Sequence, residues 1–182
     1  MNRSLEPRRL ALLLFVLPVS LILVGFSVRT HSQTSAPPQT VKNVLTVSGD
    51  IPTVVQLKVE DLDKLAQEET TVEEEDGTTS KYSGVPLRAV LEKVGAPMGR
   101  TLRGKSLASY VVVKARDGYE VLFTLGELDT SFGNEKVIVV YKHDGKPLFD
   151  YQGPFRIMCP NDKAGARSIR MLDSIEVVRL RK

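Results

Sequence analysis

The sequence predicts an α+β domain built on a mixed, mostly antiparallel β-sheet, with about two helices near its start. Three observations predict it. Apolar and polar residues alternate over short stretches through the second half, helical spacing recurs only between residues 59 and 94, and turn-forming Asp-Gly pairs separate the alternating runs. Of 182 residues, 42% are apolar and 26% charged, with one Cys and no Trp. That composition supports a packed core and excludes a chain disordered throughout, a disulfide scaffold and a cysteine-ligated zinc module.

The first 29 residues stand apart. Arg3, Arg8, Arg9 and Arg29 against Glu6 carry a net +3, which is the whole formal charge of the chain, so the remainder is neutral. A neutral body lacks the electrostatic drive for binding a nucleic-acid backbone. After Arg8-Arg9 an apolar run extends from Leu10 to Val28, broken only by Pro18, Ser20, Gly25 and Ser27. It reads as an export signal or an uncleaved membrane anchor over residues 1–29. Arginines before the run and a near-neutral flank after it place the body outside the cytoplasm, periplasmic or secreted, with the membrane touched only through this segment. Glu6-Pro7 before the arginine pair and Leu10-Ala11-Leu12 after it match a twin-arginine signal poorly, which favours the general secretory route. Residues 30–43, with Pro37-Pro38, read as a Pro/Ser/Thr-rich linker, and the domain as residues 44–182.

Within the domain, Asn43 to Val47 and Val54 to Leu57 are short strand-like runs. Val59, Leu62, Leu65 and Ala66 then recur at helical spacing. Glu68 to Lys81 reads as a hairpin turning at Asp76-Gly77. Its acidic Glu73 to Asp76 lacks the alternating oxygen ligands of a calcium loop and reads as a solvated face. Leu87, Val90, Leu91 and Val94 define a second helix between Pro86 and Gly95. Leu107 to Ala115 and Tyr119 to Leu125 flank a turn at Arg116-Asp117-Gly118. Val137 to Tyr141 is continuously apolar, as in a strand buried on both faces. A turn follows at His143 to Lys146, then strands over Phe155 to Cys159 and Ile175 to Leu180.

The chemical inventory is small. His31 falls in the linker, and His143 falls in a polar turn, where an exposed histidine without a ligand is expected. There is no nucleophile elbow, phosphate loop or paired metal-ligating histidines. One constellation stands out between Gln152 and Arg170. A Gly153-Pro154 entry leads to a strand holding Arg156 among apolar neighbours, and a loop with Asn161, Lys163, Arg167 and Arg170 follows. Such a loop presents N–H groups and guanidinium forks to a phosphate or other oxyanion. The competing reading makes these cations solvated surface, or ion pairs with Glu120, Glu127 or Asp173. Cys159 shares its strand face with Phe155 and Ile157, so a small buried thiol is expected there. Alternation then gives Arg156 the opposite face, and a pocket that used one of the two would exclude the other.

Five motifs in order, Tyr82-Ser83-Gly84-Val85-Pro86-Leu87, Asp117-Gly118-Tyr119, Gly145-Lys146-Pro147-Leu148, Gly153-Pro154-Phe155-Arg156 and Gly165-Ala166-Arg167-Ser168-Ile169-Arg170, resemble the oxidoreductase molybdopterin-binding domain of the sulfite oxidase family. The resemblance implies a mixed α+β fold and a molybdenum pyranopterin cofactor whose phosphate and pterin are held by basic and polar residues. Arg156 resembles the arginine of the family's Gly-x-Pro-x-Arg stretch, and Arg167 and Arg170 its basic pair before the last strands. Cofactor-binding candidates are therefore Arg156, Lys163, Arg167, Arg170, Gly153 and Asn161. The departures are as informative. The family's cysteine ligand to molybdenum is expected within Thr70 to Ser83, which holds no Cys; Gln152 replaces a usual histidine, and Arg170-Met171 a usual Lys-Trp. The sequence thus predicts an exported domain that binds a pterin or small oxyanion without redox catalysis, its cofactor being molybdopterin or none. The alternatives are a molybdenum oxidoreductase working with a partner redox subunit, and a structural or partner-binding module.

Overall fold

Alternating burial builds two five-stranded sheets in the computed structural model, which describes residues 43–73 and 76–180. In chain order the strands are β1 (Leu45–Gly49), β2 (Val55–Leu57), β3 (Glu68–Glu73), β4 (Thr79–Pro86), β5 (Ser109–Ala115), β6 (Glu120–Thr124), β7 (Ile138–His143), β8 (Lys146–Pro147), β9 (Arg156–Met158) and β10 (Leu172–Arg179). The first sheet runs β2-β1-β10-β5-β6. The second runs β3-β4-β7-β8, with β9 also paired to β7. Only β1 with β10 is parallel; every other pairing among the described residues is antiparallel. The mixed, mostly antiparallel α+β class is the one expected.

Both sheets feed one core. Leu45 and Val47 of β1, Val111 and Val113 of β5, Phe123 of β6 and Ile175 and Val177 of β10 pack with Val139 and Tyr141 of β7 and with Phe155 and Ile157. From Ile138 to Tyr141 every residue of β7 is buried, because Val140 faces a smaller cluster with Tyr82, Leu148 and Met158 on the other side of the second sheet. That second face is the one that carries the cleft described below.

Three helices join the described strands, and they depart from expectation in two places. The helix expected over residues 59–66 is a single turn, α1 (Val59–Leu62). It ends there because the Gln67 amide donates to the carbonyls of Leu62 and Leu65 at 3.1 and 3.0 Å, replacing the N–H groups of a further turn. α2 (Leu87–Lys93) matches the predicted periodicity and buries Leu87, Val90 and Leu91. α3 (Leu125–Leu128) is absent from the expected elements, since the apolar run assigns Leu125 to the end of a strand. Its signal is a reciprocal cap: Thr124 Oγ1 accepts from the Glu127 N–H and the Glu127 carboxylate accepts from the Thr124 N–H, both at 3.1 Å.

The hairpin at Asp76-Gly77 forms as predicted, with Glu73 facing Thr79 across the strands. Glu73 and Asp76 are exposed, while Glu74 and Glu75 lie outside the described residues. The turn expected at His143 to Lys146 forms there as well, with His143 paired to Lys146 across it. Asp144 and Gly145 both adopt positive φ, 48° and 76°, the mirror-image turn that matches strand twist. His143 therefore ends β7, half-buried and not exposed as expected, its ring stacked on Tyr82 with centroids 4.6 Å apart. Among the described residues no helix is long and apolar enough to cross a membrane. The export signal or anchor expected over residues 1–29, and the linker up to residue 42, lie outside the described residues.

Candidate functional site

β9 follows a cis Gly153–Pro154 peptide and alternates as the sequence implies. Phe155 and Ile157 enter the main core, whereas Met158 joins the smaller cluster on the opposite face. Arg156, on that same opposite face, is only 8% exposed. Its Nη1 donates to Gln152 Oε1 at 3.1 Å, and its guanidinium carbon lies 5.0 Å from the centroid of the Tyr82 ring. A cation packed on an aromatic face is held in place while keeping its charge. Gln152, singled out in the sequence only as a departure from the family's histidine, thus orients Arg156.

The loop between β9 and β10 splits its cations by role. Arg167 donates to both carboxylate oxygens of Asp162, at 2.7 and 2.6 Å, and to Glu127 at 2.8 Å, over the face of Phe123. Those carboxylates push its guanidinium pKa upward, and its charge in turn holds Asp162 below the usual range. Arg167 is accordingly a structural ion pair, with Glu127 one of the partners weighed from sequence. Arg170 is exposed, packs 5.3 Å from the Tyr151 ring centroid and has no ion pair among the described residues. The Tyr119 hydroxyl donates to the Ala166 carbonyl at 2.9 Å and ties the loop to the β5–β6 turn.

Arg156 and Arg170 come together on one cleft of about 630 Å³, bordered also by Asp117, Tyr119, Tyr151 and Ser168. The other candidates take different places. Gly153 offers its carbonyl to Arg116 Nη2 at 2.6 Å and does not border the cleft. Lys163 is exposed and does not border it, and Asn161 borders a second cavity of about 320 Å³ with Glu68, Arg88 and Glu135. Sequence pattern gives no cleft role to Tyr119 or Tyr151, nor a supporting one to Arg116. Arg116 fixes the Gly153 entry, and its backbone N–H donates to the Met171 carbonyl at 3.0 Å. These contacts join segments far apart in sequence, so local pattern carries no signal for them.

Cys159 packs in the main core with Phe155 and Ile157, as alternation predicts, and is 4% exposed. It also borders the cleft. Cys159 thus shares the border of the cleft with Arg156, against the exclusion expected, although its side chain keeps to the core face that alternation assigns it. Burial, with Asp162 adding to it, pushes the thiol up to about 12, and Sγ lies 3.7 Å from the Arg167 carbonyl, to which it donates. The group is a protonated thiol at neutral pH.

The family model of the oxidoreductase molybdopterin binding domain matches residues 33–182. The chain belongs to that family. None of the curated proteins compared with it matches. A solved structure, the sulfane dehydrogenase SoxCD from Paracoccus pantotrophus, is similar in fold, with a TM-score of 0.56 and 15% identity. The likeness covers 75% of this chain and 38% of that one, so this molybdopterin-binding domain spans well under half the length of its neighbour. The fit of its residues to the family's cofactor divides in two. Arg156 and Arg170, with two tyrosine rings beside them, suit an anionic group on a flat heterocycle. The metal end has no thiolate: Thr70 to Ser83 contains no cysteine, and Cys159 is buried, protonated and engaged with a backbone carbonyl.

Proposed function

We propose that this domain acts outside the cytoplasm, exported or held by its N-terminal segment, and binds a pterin or other oxyanion-bearing ligand without oxygen-atom transfer. The observation that carries the reading is the convergence of Arg156 and Arg170 on one cleft in a domain with no net charge. Arg156 supplies a buried, pre-oriented guanidinium, and Arg170 a solvent-exposed one at the rim. Tyr119 and Tyr151 line the same cleft and add aromatic surface to it. No residue of the cleft supplies a soft anionic ligand, so the chemistry available is recognition.

Calorimetric titration with inorganic phosphate and with a phosphorylated pterin tests it. The parent protein is expected to bind both, the pterin more tightly. A charged hydrogen bond contributes about 1.5–3 kcal/mol. Arg156→Gln is therefore expected to weaken binding up to roughly a hundredfold, and the solvent-screened Arg170→Ala about tenfold. Absence of any anion binding by the parent removes the reading and leaves a structural module. For the location, a reporter fused after Lys182 is expected to be active only outside the cytoplasm; activity inside it would overturn that part.

A further inference from the structure

The longest stretch without an acidic residue inside the domain runs from Lys93 to Arg116 and holds Lys93, Arg100, Arg103, Lys105, Lys114 and Arg116. Two of these are committed elsewhere. Lys114 pairs with Glu176 at 3.0 Å, and Arg116 with the Gly153 carbonyl. Arg100, Arg103 and Lys105 make no ion pair among the described residues; Arg103 and Lys105 are exposed, as is Arg100. They stand on or between two successive 3-10 turns, Gly99–Thr101 and Gly104–Ala108, anchored from below by buried Leu102 and by Asp129, whose carboxylate accepts from the Gly99 N–H. Acids on the adjoining segments do not neutralise them: Asp129 is 1% exposed, and Glu92 is taken by Arg88 at 2.8 Å.

Two large apolar side chains complete the patch. Leu107 is exposed on the second turn, and exposed Leu180 is brought beside it because its N–H donates to the Ala108 carbonyl at 3.1 Å. Exposed cations on the same turns as an exposed leucine, with a second leucine beside it, are the composition of a surface that settles into a lipid headgroup layer, the leucines entering the interface and the cations meeting anionic phosphates. The length of chain before the domain favours that occupant over others. Between Val28, the end of the apolar run, and Asn43, the first described residue, the chain is too short to span more than about 50 Å even fully extended. Asn43 enters at the end of the first sheet opposite Leu180, since β1 runs parallel to β10, and the roughly 25–30 Å of strand between them lies within that reach. A domain tethered that closely meets the bilayer at high effective concentration, so a weak patch suffices to orient it.

We infer that Arg100, Arg103, Lys105, Leu107 and Leu180 form a docking face for an anionic membrane surface. The inference rests on the N-terminal run holding the chain at a bilayer, and the test separates the two. The chain has no tryptophan, so Leu107→Trp introduces a single indole reporter in the full-length protein, with Leu180→Trp as a second. Each is reconstituted with phosphatidylcholine vesicles, with and without phosphatidylglycerol. Blue-shifted emission, quenched by brominated lipid, is expected only with phosphatidylglycerol. Adding Arg100→Gln, Arg103→Gln and Lys105→Gln together is expected to abolish it, since each interfacial cation contributes about fivefold to the docking equilibrium. Thermal melting checks that the variants remain folded. Flotation with the vesicles reads the N-terminal tether independently. Whether or not the chain floats, absence of the shift in anionic vesicles overturns the inference. So does a shift that the triple variant retains, or one given by an acidic polypeptide or RNA but not by lipid.

Discussion

Gly84→Ala is expected to destabilise the domain by roughly 3 kcal/mol or more, a large effect for one added methyl group. Gly84 lies in β4 where it pairs with β7, and an added Cβ would stand 2.1 Å from the Val139 carbonyl oxygen and 2.6 Å from the Val140 Cα. Those are backbone atoms in a fully buried stretch of strand, so no side chain can swing aside to make room. The register of β4 on β7 already shifts between Ser83 and Gly84, and the close approach occurs at that irregularity. β7 in turn carries β9, with Val140 opposite Arg156, so a displaced β4 also disturbs the cleft. Gly126→Ala is the control, because nothing lies within 4 Å of its Cβ position and it falls in α3. There the same change is expected to be neutral or to stabilise by about 0.5–1 kcal/mol. Urea unfolding of the two variants checks the contrast, and a Gly84→Ala loss below about 1 kcal/mol would show that the β4–β7 pairing can relax there.

Asp129→Ala is expected to cost about 3 kcal/mol. The side chain is 1% exposed, and its two oxygens accept from the N–H groups of Gly99 and Ser131, joining the loop after α3 to the first 3-10 turn. Alanine leaves both donors without an acceptor, at about 1–3 kcal/mol each if no water enters. The effect carries a pH signature. Burial alone would raise the Asp129 carboxyl, but the N–H groups of Ser131 and Gly99, with the Arg88 charge behind them, outweigh it and hold it below the usual carboxylate range. A group depressed in the folded state contributes stability above its unfolded pKa and loses it as pH falls through the folded one. The stability gap between parent and Asp129→Ala should therefore be full above about pH 5 and narrow below about pH 4. Thermal melts across that range check it; a gap that widens on acidification would contradict the assignment.

Burial pattern and turn chemistry are legible in the sequence wherever they are local. β5, with Ser109, Val111, Val113 and Ala115 inward, follows from alternation alone, and the β3–β4 hairpin from Asp76-Gly77. The spacing overestimates α1 because Leu65 and Ala66 continue it while Gln67, a side-chain competitor, ends the helix. It hides α3 because Leu125 extends the apolar run of β6, although Thr124 and Glu127 spell its cap. Of the cleft, Arg156 and Arg170 are legible as cations in a motif. The engagement of Arg167 with Asp162 and Glu127 requires the fold, since Glu127 lies forty residues away. The family resemblance locates the basic loop without saying which arginine is committed to an ion pair and which faces the cleft.

On the proposed reading the cleft recognises an anionic ligand and offers no thiolate to a metal. Metal and pterin analysis of the full-length protein, purified from a molybdenum-replete host, tests it most directly, with Cys159→Ala analysed beside the parent. Molybdenum well below one atom per chain is expected in both, with no turnover of sulfite or a sulfoxide by either. Stoichiometric molybdenum in the parent that disappears in Cys159→Ala would contradict this reading and make the buried thiol a metal ligand.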